Sequence, residues 1–176
     1  MIKNIDLQKF MSKVKDMEKG HQLDLSSDED LSIAIMNLIS IEEHMFFTAQ
    51  KTDKSQYLDI LHQAREMRKE LLKKIIKDYE GEVWCISKHL LGASMRLMEV
   101  GTKALTKGDK KEAEDLFKKA YDLYNLFWGL NLGIVKPDAK SLNVEDIKET
   151  PTEIKKSDFL GKISGVIGKI LDCCRE

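Results

Sequence analysis

Between Glu82 and Gly101 the chain reads EVWCISKHLLGASMRLMEVG, and four of these side chains can do chemistry: Cys85, His89, Arg96 and Glu99. Cys85 and His89 are four residues apart, which places both on one face of a helix. A thiolate and an imidazole on adjacent turns are two of the four ligands that zinc takes in a tetrahedral site. His44 and Glu43, from a second predicted helix, would complete a site for zinc or another transition metal. The bland alternative is that Cys85 is a buried cysteine acting as a small hydrophobe. Cys85 as a nucleophile, with His89 or His44 as its base, would also need an oxyanion hole. No glycine-rich strand-to-helix turn precedes the cysteine to form one. Phosphate-binding loops, dinucleotide fingerprints and paired Glu-x-x-His di-iron motifs are missing from the sequence.

A second constellation is Glu42 with Arg68. Glu42 falls in line with Leu38 and Met45, and Arg68 with Leu61, Leu71 and Ile75, so each interrupts an apolar helical stripe. Either the two meet as a buried polar pair, or drift of the helical period over a long helix carries both to the rim, where their long stems snorkel to water.

The third is the C-terminal segment SDFLGKISGVIGKILDCCRE. Phe159, Leu160, Ile163, Val166, Ile167, Ile170 and Leu171 recur at i, i+1, i+4, i+7, i+8, i+11 and i+12, a nearly pure apolar stripe. Gly161, Gly165 and Gly168 each cost about 1 kcal/mol against alanine in a helix, so this helix needs a surface to form on. That surface is its own bundle, another protein, a second copy of the chain, or an anionic membrane. Lys155, Lys156, Lys162 and Lys169 favour the membrane, whereas Asp158, Asp172 and Glu176 oppose it, so contact there would be weak and peripheral.

The elements that must position these groups are helices. Ile5, Leu7, Phe10, Met11, Val14 and Met17 predict a helix over 3–19. Ser26 or Ser27 caps a second, running to about Lys51 with Asp28, Glu29 and Asp30 at the positive end of its dipole. A third starts at Thr52 or Asp53 and ends near Tyr79, before Gly81. The organising helix spans Glu82–Thr106, and a fifth follows Asp109 to about Asn131. Phe46, Phe47, Phe127 and Trp128 read as core aromatics. From 134 to 156 the chain turns polar and carries both prolines, which reads as a linker.

In the last two long helices, Gly101, Gly108, Ala113, Phe117 and Ala120 resemble a single tetratricopeptide repeat. In that family such small residues let two antiparallel helices pack closely. The likeness covers about 34 residues with no second copy, and arrays of this kind need three or more repeats. It implies a tight helical hairpin, and a peptide-binding array does not follow from it.

The totals agree with a helical protein. Of 176 residues, 42% are hydrophobic and 34% charged, with ten glycines and two prolines, enough for one core and long solvated helix faces. The net charge of −1 provides no global field for nucleic acid. Three cysteines are an odd count, which suits a reducing cytoplasm better than a disulfide framework. The expectation is an all-α protein: an antiparallel four-helix bundle within a 1–133 domain, an extra N-terminal helix, and an amphipathic helix at 157–176 tethered by 134–156. Its expected function is that of a non-enzymatic interaction or scaffold protein without cofactor. The C-terminal helix would dock on a partner, a second subunit or a membrane surface. The alternative is a metal-binding or redox bundle built on Cys85, His89, His44 and Glu43.

Overall fold

The computed structural model describes residues 25–76, 82–133, 135, 161, 164, 165 and 167. The N-terminal helix expected over 3–19, most of the 134–156 linker, and Phe159, Leu160, Ile163, Val166, Ile170 and Leu171 lie outside the described residues. The fold is all-α. Four helices follow one another, α1 (Leu25–Thr52), α2 (Gln56–Ile75), α3 (Glu82–Thr106) and α4 (Lys110–Asn131), and no strand occurs among the described residues. None of these helices is long and apolar enough to cross a membrane.

Three-residue turns fold α1 onto α2 and α3 onto α4, so the chain forms two antiparallel hairpins. The second turn is set by local chemistry. Gly108 takes a φ of 83°, and the Asp109 carboxylate accepts the Glu112 N–H at 3.1 Å, capping α4. The first turn departs from expectation: α2 begins at Gln56. Asp53 adopts a φ of 52°, the left-handed region that aspartate tolerates, and so belongs to the turn.

The α3–α4 hairpin is as close as its small residues imply. A Cβ placed on Gly101 would lie 2.7 Å from the Phe117 ring, while Ala113 and Ala120 are buried between the helices. Small polar groups also sit between these two helices. Ser94 donates to the Ala120 carbonyl at 2.8 Å, and the Asn131 amide donates to Ser87 at 3.1 Å.

The core lies at one end. Ile35 and Met36 from α1, Leu72, Ile75 and Ile76 from the α2 end, Leu90 and Leu91 from α3, and Tyr124, Phe127 and Trp128 from α4 form one buried cluster. These are the first halves of α1 and α3 and the last halves of α2 and α4, which an up-down-up-down path brings together. Nearer the turns the buried residues are mostly small: Ala49, Ala64, Gly101 and Ala113.

The C-terminal segment joins this closed end through the residues described there. Ile167 is fully buried in the core cluster. The Ser164 hydroxyl donates to Asp122 at 2.9 Å and accepts from the Asn125 amide at 3.0 Å, both on α4.

A hydroxyl pair ties α1 to α4 beside the core. Ser32 donates to the Glu29 carbonyl at 2.7 Å, so its single proton is committed and the Tyr124 hydroxyl donates to it, also at 2.7 Å. Burial pushes the Tyr124 pKa above its ordinary 10, and the Ser32 contact opposes that only in part. Because the folded value is raised, the stabilisation is complete below the unfolded value and is lost as pH climbs through the folded one. Urea midpoints of the wild type are therefore expected to fall more steeply above pH 10 than those of Tyr124→Phe. Parallel pH profiles for the two proteins would show that Tyr124 does not ionise on unfolding.

Candidate functional site

α1 and α3 run parallel and touch along a narrow line. At Gly92 an added Cβ would stand 3.3 Å from Ile39 Cγ2, so the missing side chain is what lets the two helices approach. One turn further on, Arg96 clasps α1 to α3. Its Nε donates to Glu43 Oε2 at 2.8 Å, Nη1 to Glu99 Oε2 at 2.6 Å, and Nη2 to the Ser40 hydroxyl at 3.2 Å and to the same Glu43 oxygen. These bonds to Glu43, then to Glu99, raise the Arg96 pKa and keep the guanidinium charged. The side chain is still 40% exposed, so water screens the pair and its net stabilisation is small. Arg96 and Glu99 were legible as reactive types at i, i+3. Their partner across the helices was not.

The clasp divides two grooves. One, of about 660 Å³, lies between the later halves of α1 and α3, with Ile41, Phe47 and Val100 as apolar lining and His44, Lys51 and Lys103 as polar lining. The other, of about 480 Å³, lies over α1 between α2 and α3 and includes Ile39, Phe46, Leu61 and Ala93.

Glu42 and Arg68 meet in the wall of the second groove. Arg68 Nε donates to Glu42 Oε1, and Nη2 to Oε2 at 3.3 Å, a two-pronged pair between α1 and α2. Arg68 is 2% exposed and the Glu42 side chain 15%, so the arginine is buried and the glutamate part-buried at the groove rather than carried to the rim. Arg65, half exposed, stands 3.8 Å from the same carboxylate.

Cys85, His89, His44 and Glu43 do not assemble. Among the described residues no group of three or more His, Cys, Asp or Glu side chains is placed to hold a metal ion. The reason is geometric. His89 borders the groove between α2 and α3, His44 borders the other, and the Glu43 carboxylate is engaged by Arg96. Cys85 is an exposed free thiol, which corrects the buried-hydrophobe alternative as well.

The aromatic pairs divide. Phe127 and Trp128 are core residues, with ring centroids 5.1 Å apart. Phe46 and Phe47, expected in the core, are 47% and 49% exposed. Ile41 and Val100, which line one groove with Phe47, are similarly exposed. Polar groups thus line the two grooves, and large apolar side chains stand open beside them. No family model, curated protein or solved structure matches the chain significantly.

Proposed function

We propose that this is a non-enzymatic interaction protein of the cytoplasm, and that the cleft between its hairpins is where a protein partner docks. The observation that carries this reading is the set of Ile41, Phe46, Phe47 and Val100 beside the grooves. All are more than two-fifths exposed; Ile41, Phe47 and Val100 line the groove between α1 and α3, and Phe46, its ring 5.2 Å from that of Phe47, lines the other. Scattered apolar residues on a surface need no explanation, but a contiguous group of large ones beside a groove marks a binding site. Aromatic side chains are favoured at the centres of such sites because they bury much area for few rotatable bonds. The close approach of α1 and α3 at Gly92 supports the reading, since helices already packed there leave little ordering to be done on binding.

The C-terminal helix has a narrower part in this proposal. With Ile167 and Ser164 seated on the closed end, it braces the bundle opposite the cleft. It reaches a second subunit only by exchange for the same α4 surface.

A photo-crosslinking amino acid placed at Phe47, and separately at the exposed Gln63 of α2, tests the cleft in living cells of the native host. A discrete adduct at Phe47 and none at Gln63 is expected. No adduct at Phe47, together with a monomeric mass by sedimentation, would overturn the proposal.

A further inference from the structure

The charges around the groove over α1 identify the kind of partner it takes. This step rests on the interaction reading above and adds the partner's chemistry. Four basic side chains, Arg65, Arg68, Lys88 and Arg96, border the groove against two acidic ones, Glu42 and Glu43. The acidic groups are already engaged. Glu42 accepts both prongs of Arg68, and Glu43 accepts Arg96. Arg65, which also acts on neighbouring Glu66, meets within the groove only a carboxylate that Arg68 already fills, from 3.8 Å, and Lys88 forms no ion pair with any described residue. Arg65 belongs to α2 and Lys88 to α3, so the two least engaged positive charges stand on opposite walls. Ile39 and Phe46 of α1 lie between those walls, to which Leu61 and Ala93 add apolar surface.

We infer that this groove binds an acidic amphipathic helix. Its apolar side chains would rest on Ile39, Phe46 and Leu61, and carboxylates on its two flanks would meet Arg65 and Lys88. The dimensions agree. The bordering residues run from 39 to 46 on α1, 61 to 68 on α2 and 88 to 96 on α3. At 1.5 Å per residue each wall is roughly 10–12 Å long, or about two turns of a docked helix. A partner helix contributing residues at i, i+3 or i+4, and i+7 covers that length. A small anion alone would leave Phe46 exposed, and a basic helix would set its own charges against Arg65 and Lys88, a juxtaposition that interfaces avoid.

The test uses the full chain and three labelled designed peptides of roughly four helical turns, read by fluorescence anisotropy. One carries a leucine face with glutamate elsewhere, one replaces glutamate by lysine, and one keeps glutamate but replaces leucine by serine. The acidic leucine peptide is expected to bind about tenfold or more tightly than either control, and to weaken as salt rises. Arg65→Glu with Lys88→Glu should lower its affinity by about tenfold, whereas Gln63→Glu should not, with thermal melts confirming that each variant is folded. Equal binding of the acidic and basic peptides would overturn the charge assignment. Equal binding of the leucine and serine peptides would reduce the groove to a general anion site and overturn the helix. If no peptide binds while Phe47 still crosslinks, the partner chemistry is wrong and the interaction reading survives.

Discussion

Arg68→Ala is expected to destabilise the protein by about 3–5 kcal/mol, the cost of leaving one member of a buried ion pair without the other. The guanidinium is nearly inaccessible, and two of its nitrogens donate to Glu42. Alanine would strand a carboxylate that is only 15% exposed and would also remove the packing of the arginine stem between α1 and α2. One feature softens the loss. Arg65, 3.8 Å from the same carboxylate and half exposed, can swing toward the vacated place, which draws the expectation to the lower end of the range. Glu42→Leu combined with Arg68→Met should behave differently. Two apolar side chains of similar size remove both charges, and such exchanges are often neutral or stabilising. Urea unfolding followed by tryptophan fluorescence measures all three proteins. A double variant as unstable as Arg68→Ala would mean that the pair itself contributes net stability. The double variant also separates structure from recognition. If it is stable and still binds the acidic peptide, Glu42 and Arg68 are wall, and Arg65 and Lys88 carry the recognition.

Helix identity was written in local signals, and helix placement was not. α3 and α4 fall where expected because Gly81, Gly108 and Asp109 punctuate the chain, and the Asp109 cap needs only a neighbour three residues away. The α2 start is not legible in the sequence because Asp53 can cap a helix or adopt the left-handed turn it takes here, and only the hairpin geometry decides between them. Glu42 and Arg68 could be singled out as polar interruptions of apolar stripes. That they meet depends on the register of α1 against α2, which no spacing within either helix encodes. The same register problem defeats the set of Cys85, His89, His44 and Glu43. The i, i+4 relation holds within α3, but α1 presents Glu43 to Arg96 instead. Phe46 and Phe47 show the limit most plainly. Adjacent helical residues point about 100° apart, so an apolar surface that contains both is wider than one seam. Whether neighbours cover that width depends on how the two hairpins meet. Here the shared core is built at the far end, from Ile35, Leu72, Leu91 and Trp128.

Ile167→Ala should cost about 2–5 kcal/mol, the usual loss for truncating a large side chain in a core that collapses only in part. At about 2–4 °C per kcal/mol for a chain of this length, the melting temperature would fall by roughly 4–20 °C. The expectation rests on complete burial of Ile167 in the cluster that holds Phe127 and Trp128, with Ser164 bonded to Asp122 and Asn125 on the same face of contact. It also decides what the tail is for. A detachable helix spends part of its time off the bundle, and a side chain that is often out of the core cannot lose its full burial energy when cut back. A loss well under 2 kcal/mol would therefore point to a tail that exchanges, and would restore the C-terminal helix as a docking element. Truncation after Lys136 separates the two ways in which a large loss could arise. If the truncated chain melts lower at unchanged mass, Ile167 fills the core of its own chain. If truncation converts an oligomer to a monomer, the same isoleucine fills the core of a second copy. In that case the tail on α4 is the subunit interface, and the groove over α1 stays free for the acidic helix.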